Sequence, residues 1–367
     1  MIMSAIGIIM VVDAHSWSAV HIGDAIFPYN SFFMAMFFFI SGYFFKPKLS
    51  AEDLTLFICR KTKTLFAPYL GWWFAYLLIG IILGGITSFK YAPTFSFYNY
   101  FVGPIVCGEF GGLNAPAYFV PILFYVICLH SVARFVFNRI WNDYVCMIIY
   151  ICMGAFVVWY SISIDYKYAY NSAFMMLMKV MFSLQFYELG TMYNSKIENS
   201  FNRIHPIVII IVTTCIISII KHFVPEVTWL LNRLYFSTEY EQLGYCGYLM
   251  PLVTSILGIA FWLEISKILV PAIGDSKICN FISNHTFGIM EHHIFCMALL
   301  NIFLVKLNML VPINGIDVDT IKTSAWYRFE WGGSEDFYVF YFLAGIIGSC
   351  LICLLVDRTK QLIAKRS

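Results

Sequence analysis

Charge is what this sequence has least of. Only 12% of its 367 residues are charged while 60% are hydrophobic, and a soluble domain carries about 25% charged residues. At a net charge of +2, no nucleic-acid partner is expected. No polar stretch is long enough to be an appended soluble domain, and there is no repeat, low-complexity segment or linker. The missing repeat speaks against transporters built from inverted halves. The first apolar segment lacks the charged leader and small-residue cleavage site of a signal peptide, so it is read as a span. Zinc-ligand spacing is absent too. Cys350 and Cys353 form a CxxC, but inside the last apolar run and without partner ligands, so no metal is expected. Most of the other cysteines lie scattered in apolar runs, as small core residues. Only Cys107 and Cys246 fall on outer connections, where a disulfide is allowed. Gly111-Gly112 and Gly332-Gly333 read as loop turns, because no strand-to-helix context makes them phosphate cradles.

What the sequence does have is apolar length. A transmembrane helix needs roughly 20 residues, and ten candidate spans lie near 2–20, 31–45, 66–86, 116–137, 144–161, 172–193, 206–222, 247–266, 281–305 and 337–356. The expectation is an all-α, polytopic integral membrane protein of about ten transmembrane helices, forming one domain over residues 1–367. A β-barrel would show shorter, alternating segments. The 36 Phe and 24 Tyr suit a lipid-facing surface with interfacial rings. With both termini in the cytoplasm, fifteen of the 23 basic residues fall on inner connections, from Lys46 through Arg139 to Lys365 and Arg366. Seven, including Lys167, Arg233 and Arg328, fall on outer ones, which satisfies the positive-inside rule. The outer connections near 87–115, 223–246 and 306–336 are long enough to suggest a task.

Ionisable groups at membrane depth are costly and so mark candidate sites. His15 closes the first apolar run, IGIIMVVDAHSW, and its near-neutral imidazole suits it to take a proton from a hydroxyl. Asp13 is two residues earlier and does not share its helix face. It is expected to pair with another helix, a catalytic role being the alternative. Ser18, three residues on, does share the face. A second cluster is His285, Glu291, His292 and His293. His285 and His292 are seven apart on one stripe. His293 lies about 100° round from His292, so one of the pair can face a cavity and the other a neighbouring helix. A buried metal site is a competing reading of these ligands, but no i,i+4 His pair exists. Arg60, Lys61 and Lys63 lie just inside the cytoplasmic face, either to hold phosphate or as ordinary positive-inside anchors. Glu264 can pair locally with Lys267, Lys179 can snorkel or pair internally, and Glu188 has no assignment.

Four stretches occur in a characteristic order: IGIIMVVDAHSW, FFMAMFFFISGYFFKP (32–47), RKTKTLFAPY (60–69) and SNHTFGIMEHHIFCMALLN (283–301), with APAYFVPILF (115–124) between them. Over essentially the whole chain this resembles the membrane acyltransferase family 3, which includes O-acetyl- and O-succinyltransferases of bacterial surface polysaccharides. The resemblance makes His15 the family's catalytic histidine. It matches the FF-(F/L)-SG-(Y/F) segment to Phe38 through Tyr43, the basic residues after the second helix to Arg60, Lys61 and Lys63, and a late T-x-x-I-M-x-x-H pattern to Thr286, Ile289, Met290 and His293. There are departures. Met3-Ser4-Ala5 stands where a basic residue is usual, Phe32-Phe33-Met34-Ala35 replaces a Phe-His-Met-Pro found in one branch, and Tyr118 replaces a Trp.

The resemblance implies an integral membrane O-acyltransferase of the bacterial cell membrane. It would move an acyl group, acetyl being the first expectation, from cytoplasmic acyl-CoA to a hydroxyl of a cell-surface or lipid-linked glycan. His15 would be the general base. His293 would orient it, bind the acceptor or stabilise the oxyanion, with Asp13 as a third catalytic candidate. Arg60, Lys61 and Lys63 would hold the CoA phosphates, and Glu291 and His292 would bind substrate. The donor is a substrate, and no bound cofactor is expected. A rival reading is a transporter or flippase for a lipid-linked sugar or small anion. A third is a non-catalytic sensor or scaffold. Acyl group, acceptor, direct or covalent transfer and oligomeric state stay open at this level.

Overall fold

Every apolar run folds as a helix. In chain order the α-helices are α1 (Ile2–His15), α2 (Phe33–Tyr43), α3 (Ala51–Lys61), α4 (Ala67–Ile86), α5 (Gly103–Val106), α6 (Phe119–Val136), α7 (Asp143–Ser163), α8 (Ala173–Met192), α9 (Glu198–Phe201), α10 (Pro206–Phe223), α11 (Met250–Ile273), α12 (Lys277–Asn284), α13 (Thr286–Leu310), α14 (Val318–Thr323) and α15 (Tyr338–Ala364). Two-residue strands, β1 (Trp229–Leu230) and β2 (Tyr235–Phe236), pair as an antiparallel hairpin with Trp229 opposite Phe236. The computed structural model describes residues 1–17, 19–48, 50–108, 112–137, 142–163 and 172–364. Ser18, Gly111, Arg139, Lys167, Lys365 and Arg366, named above, lie outside them.

Seven helical stretches among the described residues are long and apolar enough to cross a membrane, and α1 and α2 are shorter apolar helices. The chain is a multi-pass helical membrane protein. α8 is buried along most of its length, Lys179 and Glu188 included. The first two spans end earlier than hydropathy suggested. At 1.5 Å per residue, the 14 residues of α1 reach only about 21 Å and the 11 of α2 about 17 Å, against a hydrocarbon core of about 30 Å. The chain between them is almost entirely non-helical. Such backbone survives at depth only where other groups satisfy it. Here the Ser31 carbonyl accepts from Trp229 Nε1 (2.9 Å), Thr254 Oγ1 (3.1 Å) and Ser255 Oγ (3.1 Å).

The second difference lies on the basic side. Residues 51–65 are helical rather than a loop. α3, a five-residue π-helical turn (Thr62–Phe66) and α4 run together as one 36-residue stretch, Ala51–Ile86. Ser50 caps it by accepting from Asp53 N. Glu52 and Asp53 sit in the first turn of α3, and Arg60 and Lys61 in its last, the order the helix dipole favours. Those same charges hid this helix from a hydropathy reading.

Close packing gives the serine–glycine segment its physical reason. α2 crosses α8 so tightly that a Cβ on Gly42 would fall on the Tyr187 carbonyl, and one on Gly190 would fall on the Phe39 carbonyl. Small residues are what let membrane helices approach this closely. Thr191 Oγ1 adds a bond to the Gly42 carbonyl (3.2 Å).

The connections gather at two ends. At one, Trp229 meets Ser31, Lys221 Nζ meets the Ala25 carbonyl, and Lys90 N meets the Lys322 carbonyl. At the other, Tyr43 meets Glu198, Arg134 meets Asp143, and His285 meets Asp357. The expected Glu264–Lys267 pair forms there at 2.5 Å. Cys107, buried and 3.2 Å from Tyr98 Oη, and Cys246, exposed, form no disulfide with each other, and Cys350 and Cys353 are free thiols. Gly332 and Gly333 both have positive φ, as turn residues do.

Candidate active site

α1 ends at His15 because three features close it. Ser16 N bonds to the Val12 and Asp13 carbonyls, Ser16 Oγ donates to the Asp13 carbonyl at 2.8 Å, and Trp17 turns left-handed at φ 65°. A second left-handed residue, His21 (φ 53°), follows. Neither is glycine, so each costs of order 1 kcal/mol and must be held. Asp13 does much of the holding. Its Oδ1 accepts from Val20 N (2.8 Å), and its Oδ2 accepts from His21 N (3.0 Å) and Tyr29 Oη (2.7 Å). Asp13 is therefore aimed at the turn beyond His15 and not at the imidazole.

His15 is instead brought to His293 of α13, with His15 Nδ1 2.8 Å from His293 Nε2 and ring centroids 5.0 Å apart. The direction of the proton between them follows from the next contact. His293 Nδ1 lies 3.0 Å from the Ile289 carbonyl, and a carbonyl only accepts, so Nδ1 carries the hydrogen. Neutral His293 then offers Nε2 as an acceptor, and His15 Nδ1 must donate to it. The remaining nitrogen of His15, Nε2, keeps its lone pair and makes no hydrogen bond among the described residues. His15 lines a cavity of about 560 Å³, shared with Tyr29, Asn30, Tyr118, Trp229, Asn232, Arg233, Asp24 and Trp326. Trp326 stands edge-on to the His15 ring at 5.3 Å.

Glu291, His292 and His293 are successive residues of one helix, so they fan out to three neighbours. His293 meets α1. His292 turns to α4, where Nδ1 lies 2.7 Å from Tyr76 Oη and the ring meets Trp72 at 4.4 Å. Glu291 turns to the segment before α6 and accepts from Asn114 Nδ2 at 3.2 Å, with its other oxygen buried and unbonded. His285 does not join them. It sits at the break between α12 and α13, donating to the Phe281 carbonyl and pairing with Asp357, both at 2.8 Å.

Arg60, Lys61 and Lys63 are not brought to the histidines. They straddle the π-helical turn at the other end. Sixteen residues of helix separate Arg60 from Tyr76, which is about 24 Å at 1.5 Å per residue. Arg60 lines a second cavity of about 380 Å³ with Lys48, Asp53 and Phe57, and Lys48 lies over the Phe57 ring at 4.1 Å.

Glu188 finds its neighbours in α6 and is fully buried, as is His130, while Arg134 is only partly buried. His130 Nε2 is 3.6 Å from Oε2 and Arg134 Nη1 is 4.0 Å from Oε1, while Arg134 also pairs with Asp143. Lys179 is buried, 5.8 Å from the Tyr118 ring.

Four neighbours of the site went unread in the sequence: Tyr29, Tyr76, Trp326 and Arg328, the last of which donates from Nε to the His15 carbonyl at 3.0 Å. Asn114 could have been found, because it directly precedes the APAY stretch, but Arg328 had no signal beyond its charge.

A family model described as Acyltransferase domain matches residues 2–358. No curated protein and no solved structure matches the chain.

Proposed function

The chain belongs to the membrane acyltransferase family 3, and on that premise we propose that it transfers an acyl group from cytoplasmic acyl-CoA, acetyl-CoA first among donors, to a hydroxyl of a cell-surface or lipid-linked glycan in the bacterial envelope. The observation that carries this reading is the His15–His293 pair beside a cavity, with a lone pair left on His15 Nε2.

The acceptor hydroxyl gives its proton to His15 Nε2 as its oxygen attacks the thioester carbonyl. His293 Nε2 accepts from His15 Nδ1 throughout, so the imidazolium that forms is stabilised by a neutral partner held against the Ile289 carbonyl. The tetrahedral intermediate then collapses. The carbon–sulfur bond breaks, and the departing thiolate recovers the proton from Nε2. Atoms and charge balance without any further reagent.

A cavity of about 560 Å³ falls within the range of ligand pockets, roughly 300–1,000 Å³. Its Asn30, Asn232, Asp24 and Arg233 offer donors and acceptors for sugar hydroxyls, and Trp326 offers an apolar ring. At the other end Arg60, Lys61 and Lys63, with Lys48 beside Arg60, would take the nucleotide phosphates. The donor's arm would then extend through the bundle toward the histidines, passing Glu291 and His292. A histidine pair flanked by one cavity serves transfer to a bound hydroxyl. A transporter would instead move a solute without consuming thioester.

The test is thiol release from acetyl-CoA by the purified protein in nanodiscs, with candidate glycan acceptors. Acceptor-dependent release that His15→Ala abolishes, with the variant folded, supports the reading. Failure to bind any acyl-CoA overturns it.

A further inference from the structure

Arg328 belongs to the outer connection between α14 and α15, yet its side chain is only 2% exposed. Among the described residues no carboxylate pairs with it. A buried cation without a counter-charge is expensive, and it persists only where hydrogen bonds replace its water. Every nitrogen of the guanidinium is used. Nε donates to the His15 carbonyl (3.0 Å), Nη1 to the Ala325 (2.9 Å) and Tyr327 (2.8 Å) carbonyls, and Nη2 to Met297 Sδ (3.0 Å). The plane lies over the Tyr341 ring, 5.1 Å from its centroid. Burial lowers the guanidinium to about 10, so it stays charged at neutral pH.

The placement is informative. The last carbonyls of an α-helix have no partner within the helix and carry the negative end of its dipole. α1 has no glycine to close it, and the backbone after His15 is strained at Trp17. Arg328 supplies the missing donor at His15, the last residue of α1 and one that lines the cavity, while Trp326, two residues before Arg328, packs against the His15 ring. The same segment is anchored at its base. Asn301 donates to the Tyr327 carbonyl, and Tyr341 Oη donates to Asn301 Oδ1 and accepts from Phe329 N.

We propose that Arg328 is a positioning residue for His15, a cation drawn from the outer connection that ties down the end of α1 and so fixes the imidazole against His293 and the cavity. The consequence for acyl transfer rests on the function proposed above, but the positioning does not.

Two readouts separate them. The first is carbethoxylation of His15 by diethyl pyrocarbonate at pH 8, followed by mass spectrometry. In Arg328→Gln the end of α1 is released and Trp326 loses its seat, so His15 reacts several-fold faster than in the wild type. The second is thiol release from acetyl-CoA. Here kcat falls by about ten- to a hundredfold, the cost of a slightly misplaced catalytic group, while KM for acetyl-CoA is unchanged. Arg328→Lys keeps the charge and one donor, recovers part of kcat and guards against a variant that does not fold. An unchanged His15 reaction rate in Arg328→Gln, whatever happens to thermal stability, overturns the proposal, since a residue that merely held the loop would give that result. If the wild type releases no thiol while His15 reactivity still responds to Arg328, the acyl-transfer reading falls and the positioning stands.

Discussion

Two buried histidines in this bundle live in opposite surroundings. His293 has a directional partner on each nitrogen, the Ile289 carbonyl on Nδ1 and His15 on Nε2, and its partner borders a cavity. His130 is packed among Phe45, Tyr150 and Tyr187 and lies 3.6 Å from Glu188, yet neither ring nitrogen makes a hydrogen bond among the described residues. Both sites are buried and both contain charge or its potential. The difference is direction. A chain of donors and acceptors fixes one tautomer and leaves one lone pair at the edge of a cavity. Proximity of a histidine, a carboxylate and an arginine fixes neither. Burial of an ionisable group nominates a site, and hydrogen-bond direction toward open space decides which nominee can move a proton to a ligand.

The comparison is broken most directly by deleting each histidine. His15→Ala is expected to lower the rate of acetyl-CoA thiol release by about 10³-fold, within the usual 10²–10⁴ for a lost general base. His293→Ala should cost about 10²-fold, and His130→Phe should leave the rate at the wild-type value. A loss for His130→Phe equal to that for His15→Ala would end the distinction.

Stability sharpens it next. Arg134→Met leaves the buried Glu188 without its cation and should cost about 3 kcal/mol in thermal unfolding, whereas replacing Glu188 and His130 together with apolar residues should be close to neutral. Activity should follow neither change beyond the loss of folded protein. Asp13→Asn should cost about 2 kcal/mol, because a carboxylate that accepts three bonds is replaced by an amide with one acceptor oxygen. Unlike the Arg134 variant, it should lower turnover as well, since the turn it holds begins at His15. Turnover of Asp13→Asn at the wild-type rate, with the melting point reduced, would detach the turn from the chemistry.

Much of this was legible because membrane depth makes sequence unusually literal. Apolar length gave a helix in each expected place, and the 100° step between neighbours on a helix anticipated that His292 and His293 would face different elements. His15 stood out as an imidazole at the end of an apolar run. The rest depended on contacts with no local pattern. Arg328 meets a carbonyl 313 residues away, and nothing in its own segment records that. Asp13 is satisfied by backbone amides seven and eight residues on, in a turn with no helical or strand period. α3 was missed because the charges that begin and end it also lower its hydropathy. The early ends of α1 and α2 leave no mark in hydropathy because apolar residues follow each, Trp17, Ala19 and Val20 after α1 and Phe44 and Phe45 after α2.

The smallest expected effect concerns the third histidine. Tyr76→Phe removes the hydroxyl 2.7 Å from His292 Nδ1 and leaves a buried nitrogen unbonded, at a cost of about 1–2 kcal/mol. His292 lies beside His293 in sequence but faces α4, so the chain of bonds from Ile289 to His15 does not pass through it. If the two act separately, Tyr76→Phe lowers the melting temperature and leaves kcat for thiol release unchanged, with KM for acetyl-CoA rising only if His292 touches the donor. A fall in kcat comparable to that of His293→Ala would mean that the adjacent histidines work as one unit. The boundary of the active site would then have to be drawn around α4 as well as α1 and α13.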